Sequence, residues 1–153
     1  MILVLKPGEF HFGSTGERIQ TLLGSCVAIT FWNPSERMGG MCHYLLPENP
    51  SRTNKIPDGR YADQSVELFL AELKRTKTRR EDYQVKIFGG GNMFPNLSRN
   101  NTNDVGHRNI NAARQLLKFN HFKIHSEHVG QAGHRTVILD LHTGYTWLRW
   151  QQD

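Results

Sequence analysis

The sequence predicts an α+β fold, a mixed α/β layered sandwich with strands at both ends of the chain and two main helices between them. Segments with strand composition dominate both ends, and the two segments with helical periodicity lie in the middle. Strands and helices do not alternate regularly, as they would in a wound parallel sheet. The 153 residues fit one domain spanning residues 1–153, which is large enough to bury a core without disulfides or a structural metal.

Two segments, 61–76 and 109–119, have the periodicity of amphipathic helices. Asn103, Asp104 or Asn109 could cap the second helix. The basic run at 74–80 is predicted to be the solvated end of the first helix and the loop after it, because basic residues favour the last turn of a helix. The apolar residues at helical spacing are Val66, Phe69, Leu70 and Leu73 in the first segment and Ile110, Ala113, Leu116 and Leu117 in the second.

The other apolar segments are short, bounded by turn residues and predicted to be strands. Residues 47–59, which include three prolines, form the longest predicted loop. His142-Thr143-Gly144 has the composition of a hairpin turn with its glycine in the left-handed conformation. The predicted strands cover residues 20–23, 26–32, 38–44, 85–88, 122–129, 136–141 and 145–150.

Composition argues against several classes of protein. The formal net charge is +5 and most basic residues are scattered, so nucleic-acid binding is not expected. No apolar run reaches the ~18 residues of a transmembrane helix, and the apolar N-terminus is too short for a signal peptide. We therefore predict a cytoplasmic protein without membrane insertion, whose two cysteines are free thiols.

Cys26 and His43 form a candidate catalytic pair. They lie in successive predicted strands joined by Asn33-Pro-Ser-Glu36, which has the composition of a turn. If the hairpin is symmetric about this turn, Cys26 lies directly opposite His43, with Cβ atoms about 4.5–5.5 Å apart. A histidine at that distance can take the thiol proton and lower the thiol pKa. Cys42 then points to the other face, where we expect it to be a buried apolar residue.

The residues before Cys26 favour a catalytic role for this cysteine over the alternative that it is a small core residue. Gly24 and Ser25 make a permissive backbone that can aim amide N–H groups at a developing oxyanion, so both are candidate substrate-binding residues. Spacing alone leaves the two interpretations of Cys26 evenly balanced.

Two other motifs are given structural interpretations. His121, His125 and His128 lie in or beside a predicted strand, whose alternation places His125 and His128 on opposite faces, so we expect no metal site there. The glycines 89–91 lack the Gly-Lys-Ser/Thr ending of a phosphate loop, and we predict that they allow a tight turn and close packing.

Several motifs together resemble one known family. They begin with Thr21-Leu-Leu-Gly-Ser-Cys26-Val-Ala-Ile and Met38-Gly-Gly-Met-Cys-His43-Tyr-Leu-Leu-Pro47. They continue with Arg60-Tyr-Ala-Asp63, Lys86-Ile-Phe-Gly-Gly-Gly-Asn-Met-Phe94, Gly106-His-Arg-Asn109 and Gly133-His-Arg135. The chain thus resembles the chemoreceptor glutamine deamidase family, CheD, over most of its length.

The resemblance implies a Cys–His–Thr triad in which Cys26 is the nucleophile, His43 the base and Thr21 the residue that orients the histidine. Ser25 or a backbone carbonyl could share that orienting role. It also implies a fold like the catalytic core of the cytotoxic necrotising factor toxins. The implied enzyme is a hydrolase of non-peptide carbon–nitrogen bonds that converts glutamine to glutamate in methyl-accepting chemotaxis receptors and releases ammonia. It needs no metal or organic cofactor, and the phosphatase CheC is a candidate partner.

Two alternatives remain open from the sequence. One is a related cysteine hydrolase, such as a peptidase or a receptor methyl esterase, in which only the leaving group differs. The other is a non-enzymatic chemotaxis adaptor that binds receptors or CheC.

Overall fold

The computed structural model describes residues 1–94 and 104–152. These residues form nine strands, two α-helices and one short 3-10 helix. The elements in chain order are β1 (Ile2–Val4), β2 (Phe10–Ser14), β3 (Arg18–Leu23), β4 (Val27–Asn33), β5 (Met38–Tyr44), α1 (Ala62–Thr76), the 3-10 helix Arg80–Asp82, β6 (Gln84–Gly89), α2 (Val105–Phe119), β7 (Ile124–Val129), β8 (His134–Asp140) and β9 (Thr146–Gln151).

The strands form two sheets that pack face to face. One sheet has the order β1-β3-β8-β9 and the other β2-β5-β4-β6-β7. Alternate residues of β4 serve different layers: Ile29 and Phe31 pack with α1 and α2, whereas Ala28 and Trp32 pack with the four-stranded sheet. The five-stranded sheet is therefore the middle of three layers, with helices on one face and the second sheet on the other. This arrangement confirms the predicted α+β layered sandwich.

Both predicted helices are present, and their predicted apolar faces are buried or half-buried. Helix α1 ends at Thr76, after which Lys77 adopts a left-handed conformation with φ of 57°. Helix α2 begins at Val105, earlier than predicted, and Asp104 caps it by accepting a hydrogen bond from the His107 N–H at 2.6 Å. The alternative cap Asn103 lies outside the described residues, and Asn109 lies inside the helix.

Sequence patterns missed two strands near the N-terminus. Strand β1 has only three residues, two of them exposed, so it carries no alternation to detect. Strand β2 contains a glycine and pairs only with β5 at the edge of its sheet. The predicted turn between β8 and β9 is confirmed, since Gly144 has φ of 79°.

The predicted register of the β4–β5 hairpin is wrong. Asn33 pairs with Met38, so the connection has four residues, 34–37, and Ala28 rather than Cys26 pairs with His43. Two features explain the longer connection: the Asn33 side-chain oxygen accepts hydrogen bonds from two backbone N–H groups of the connection, and Arg37 turns the chain with φ of 49°. Cys26 consequently lies just before β4 and diagonal to His43, not opposite it.

No helix in the described parts of the chain has the length and hydropathy that crossing a membrane would require.

Candidate active site

His43 lies in β5, on the face that meets the four-stranded sheet, and is 1% exposed. Its Nδ1 is 2.7 Å from the hydroxyl oxygen of Thr21, which lies in β3 of the opposite sheet. Thr21 is equally buried because β3 turns alternate residues, including Ile19 and Leu23, into the layer between the sheets. The contact between Thr21 and His43 therefore joins the two sheets.

The Thr21 hydroxyl has a second partner that settles which way its proton points. It donates to the backbone carbonyl of Leu5 at 2.8 Å. Its oxygen is then free to accept, so His43 Nδ1 carries a proton and donates it to Thr21. The other ring nitrogen, Nε2, is left unprotonated, and it is buried with no hydrogen-bond partner in the described part of the chain.

Leu5 is held in place by the strand that the sequence patterns missed. Its backbone N–H donates to the carbonyl of Gln20 at 2.7 Å, directly after β1 pairs in parallel with β3. The neighbouring strand therefore aims the Leu5 carbonyl at Thr21. The backbone carbonyl of Leu5 thus bonds to the Thr21 hydroxyl and not to His43 itself.

Cys26 is half-buried and packs against the apolar cluster between the two sheets, the layer that also holds His43. It precedes Ala28, the register partner of His43, by two residues and thus belongs to the same face of the sheet. Diagonal neighbours on one face are about 7–8 Å apart at Cα.

Burial shifts the pKa of both candidate residues toward the uncharged forms. It raises the pKa of the Cys26 thiol and lowers the pKa of His43 to about 4. The expectation of a lowered thiol pKa is therefore wrong. At neutral pH the resting pair is a neutral thiol and a neutral imidazole, because each charged form would lose the stabilisation of water.

The glycine segment after β6 packs directly on the Cys26 loop. The N–H of Gly90 donates to the Cys26 carbonyl at 2.8 Å, and the N–H of Gly91 donates to the Gly24 carbonyl at 2.9 Å. Gly89 and Gly90 have φ values of 106° and 66°, which favour glycine. A Cβ at Gly89 would collide with the Cys26 carbonyl oxygen. The predicted tight turn and close packing are confirmed.

A cavity of about 270 Å³ opens beside the Cys26 loop. Ser25 lines it, together with the exposed Phe94, the neighbouring Met93 and residues 104–106 at the start of α2. Gly24 is not part of its lining, since Met93 covers it: a Cβ added to Gly24 would lie 2.9 Å from the Met93 sulfur. Of the two candidate substrate-binding residues, only Ser25 therefore faces this cavity.

Cys42 lies on the opposite face of β5, within the cluster that packs against the helices, and is fully buried. Burial raises the pKa of its thiol to about 12. Both cysteines are free. The prediction that Cys42 is a buried apolar residue pointing away from His43 is confirmed.

The histidines near β7 make unrelated contacts. His128 accepts a hydrogen bond at Nδ1 from the buried Arg135 at 2.9 Å, whereas His125 accepts one from the Val85 N–H at 3.3 Å. Among residues 1–94 and 104–152, no group of three or more metal-binding side chains lies close enough to hold an ion.

Sequence reasoning gave Asn109 no place beside Cys26, although it named this residue as a possible cap and in a family-like motif. Its side-chain N–H group donates to the carbonyls of Ser25 at 3.2 Å and Leu45 at 2.8 Å. The signal for it was its place at the end of Gly106-His-Arg-Asn109, one of the family-like motifs.

Comparisons with known proteins agree on one family. The family model described as CheD chemotactic sensory transduction matches residues 45–150. A protein of Dechloromonas aromatica called "Probable chemoreceptor glutamine deamidase CheD 3" is 47% identical over 97% of this chain and 86% of its own length. One from Pseudomonas fluorescens called "Probable chemoreceptor glutamine deamidase CheD" is 46% identical over 97% and 84%. A "Probable chemoreceptor glutamine deamidase CheD 1" from Leptospira interrogans is 38% identical over 93% and 88%. The chain therefore belongs to the CheD family.

Proposed function

We propose that this protein is a glutamine deamidase that converts glutamine side chains of chemoreceptors to glutamate and releases ammonia in bacterial chemotaxis. Cys26 is the nucleophile, His43 the general base and acid, and Thr21 the residue that holds the histidine ring. The reaction class and the substrate come from the names of relatives that align with nearly the whole chain.

One observation carries the catalytic assignment: the hydrogen-bond chain from His43 Nδ1 through the Thr21 hydroxyl to the Leu5 carbonyl. It selects the tautomer whose Nε2 can accept a proton. That nitrogen is buried and unpartnered in the layer where Cys26 packs, which is the state a general base needs. Catalytic hydrogen bonds are often long without substrate, so a direct bond between Cys26 and His43 is not required in this state.

In the first step, Nε2 takes the thiol proton as the Cys26 sulfur attacks the carbon of the glutamine side-chain amide. A carbon–sulfur bond forms, the S–H bond breaks, and the amide oxygen becomes an oxyanion. The backbone N–H of Cys26 is available to stabilise that charge, since it makes no hydrogen bond within the described residues. The neutral thiol and neutral imidazole of the resting protein suit this step, because the charges on His43 and on the amide oxygen form only as the proton moves and the carbon–sulfur bond forms.

In the second step, the protonated His43 gives its proton to the amide nitrogen. The carbon–nitrogen bond breaks and ammonia leaves, so Cys26 now carries a thioester. His43 then takes a proton from water, whose oxygen attacks the thioester, and the carbon–sulfur bond breaks as the sulfur regains a proton. The net change is glutamine plus water to glutamate plus ammonia.

The cavity beside Ser25 is the proposed approach of the glutamine side chain. Its apolar rim, the half-buried Met93 and the exposed Phe94, can contact the surface of a protein substrate, while Ser25 of the loop before Cys26 lines one wall. A deamidase acting on folded receptors needs such an open approach, because the substrate side chain is attached to a large partner.

Mass spectrometry of chemoreceptor cytoplasmic fragments tests the proposal. Wild-type protein should add about one mass unit to specific glutamines, the difference between an amide NH₂ and a hydroxyl, and release an equal amount of ammonia. Cys26→Ala should abolish both, whereas Cys42→Ala, a matched removal of the buried thiol, should keep them. An active Cys26→Ala protein would refute the assignment.

The same experiment separates the alternatives. Methanol release from methylated receptor fragments, without ammonia from glutamine, would indicate a methyl esterase. Binding of the fragments with no reaction would indicate an adaptor. CheC is a further proposed partner through the family resemblance, and titration of labelled CheC with this protein measures that interaction directly.

A further inference from the structure

Asn109 joins the two halves of the active site through a single side-chain group. It lies in the second turn of α2 and is fully buried. Its Nδ2 donates one hydrogen bond to the carbonyl of Ser25, the residue before Cys26, and another to the carbonyl of Leu45, two residues after His43. Both protons of the amide are thereby used.

These two carbonyls belong to residues that lie outside the paired strands β4 and β5. Strand β4 begins at Val27, after Ser25, and β5 ends at Tyr44, before Leu45. The ladder between β4 and β5 therefore fixes Ala28 against His43 but leaves the Cys26 loop outside its regular pairing. Asn109 supplies the connection that the ladder lacks.

Other contacts leave little freedom in the position of Asn109. Its backbone carbonyl accepts a hydrogen bond from the Tyr44 hydroxyl at 2.5 Å. The first turn of α2 packs so closely on the glycine segment that a Cβ at Gly106 would lie 2.5 Å from the Gly90 carbonyl oxygen. The amide orientation follows from chemistry, because the flipped amide would set its oxygen against two carbonyl oxygens.

We propose that Asn109 is a positioning residue that sets the separation of Cys26 and His43. It acts by donating to the carbonyls on either side of the pair and touches neither reacting atom. This inference rests on the proposed deamidase function. A displacement of about 1 Å between reacting groups can lower a rate by about 10²-fold, so one shared donor can control turnover.

The test compares Asn109→Asp with Asn109→Ala and with Asn111→Asp. Asn109→Asp keeps the shape of the side chain but replaces the donor by an acceptor, and Asn109→Ala removes it. Asn111 lies on the same helix, where its side chain contacts His107 at 3.1 Å, so it provides the same chemical change away from Cys26. Each protein is assayed for ammonia release from a chemoreceptor fragment, below its unfolding temperature.

Both Asn109 variants should lose about 10²-fold in kcat with KM nearly unchanged, while Asn111→Asp keeps the wild-type kcat. Hydrogen–deuterium exchange should be faster at residues 24–27 and 44–46 in the Asn109 variants and unaltered in the control. If Asn109 only fills space, the shape-preserving Asn109→Asp will keep its kcat, and the inference is then wrong. If Asn109→Asp does not fold, hydrogen–deuterium exchange at residues 24–27 and 44–46 in Asn109→Ala decides.

The outcome is distinguishable from a failure of the proposed function. Wild-type protein that releases no ammonia refutes the deamidase proposal. An active wild type with a fully active Asn109→Ala refutes only the role of Asn109. Unchanged exchange at residues 24–27 in that variant would also overturn it, whatever the activity.

Discussion

Thr21→Val removes the hydroxyl that joins His43 to Leu5 and keeps the volume of the side chain. Two buried groups then lose their partner, the His43 Nδ1–H and the Leu5 carbonyl. Leaving a buried polar group unpaired costs about 1–3 kcal/mol, so the free energy of unfolding should fall by about 2–6 kcal/mol. The larger consequence is for the histidine, whose Nδ1-protonated tautomer loses its only acceptor in the described residues.

The catalytic loss follows from the same energy. If the productive tautomer is disfavoured by about 1–3 kcal/mol, kcat falls roughly 5- to 150-fold, since each 1.36 kcal/mol is a factor of ten. Ammonia release from a receptor fragment measures kcat, and ¹⁵N NMR of the imidazole reports which ring nitrogen carries the proton. Denaturant unfolding of the same samples measures the stability change.

Thr30→Val is the matched control. Thr30 is also buried, at 2% exposure, but within the described residues its hydroxyl makes no hydrogen bond to His43 or Leu5, which both bond to Thr21 instead. It should change stability without moving the ¹⁵N shifts of His43 or lowering kcat. A Thr21→Val protein with full kcat and a ring still protonated at Nδ1 would refute the role given to Thr21.

Two further predictions concern pH and the glycine turn. Because burial lowers the pKa of His43 to about 4, activity should fall on the acid side with a midpoint near pH 4; a midpoint near 6.5 would contradict the buried base. The free energy of unfolding should fall by up to about 3 kcal/mol as pH drops from about 6.5 to 4, because His43 binds a proton in the unfolded chain but not in the folded one over this range. Denaturant titrations of His43→Gln should not show this dependence. Gly89→Ala and Gly16→Ala both place alanine at positive φ, 106° and 100°, but only the first collides with Cys26, the second having open space. Both variants should lose roughly 1–3 kcal/mol through backbone strain, and Gly89→Ala should lose more than this and also have a lower kcat. Equal effects of the two variants in melting and ammonia assays would count against the packing described for the Cys26 loop.

Local patterns in the sequence were enough to predict the helices and strands that contain many regularly spaced apolar residues. Val66, Phe69 and Leu73 identified the inner face of α1, and the apolar run after Cys26 identified β4. The alternation of side chains along a strand also separated Cys42 from His43 correctly. These properties depend only on neighbours along the chain, because a helix or strand repeats within a few residues.

The hairpin register could not be obtained in this way. Asn33-Pro-Ser-Glu36 is a turn sequence, yet Asn33 pairs with Met38, two residues later in the chain than the predicted partner Glu36. A turn sequence admits several loop lengths, and the choice among them depends on how both strands pack against the layers above and below. The displaced register made Cys26 diagonal to His43 and left its loop to be held by other elements.

The sequence by itself determined the fold class, the faces of the helices, the family resemblance and the candidate residues Cys26, His43 and Thr21. Only the tertiary structure decided how they are arranged: Thr21 of one sheet bonds both to Leu5, just after β1, and to His43 of the other sheet, and Asn109 reaches from a helix to the Cys26 loop. The reason is physical. These contacts join residues far apart in the chain and in different layers, so they exist only once the layers have packed, and no periodicity records them.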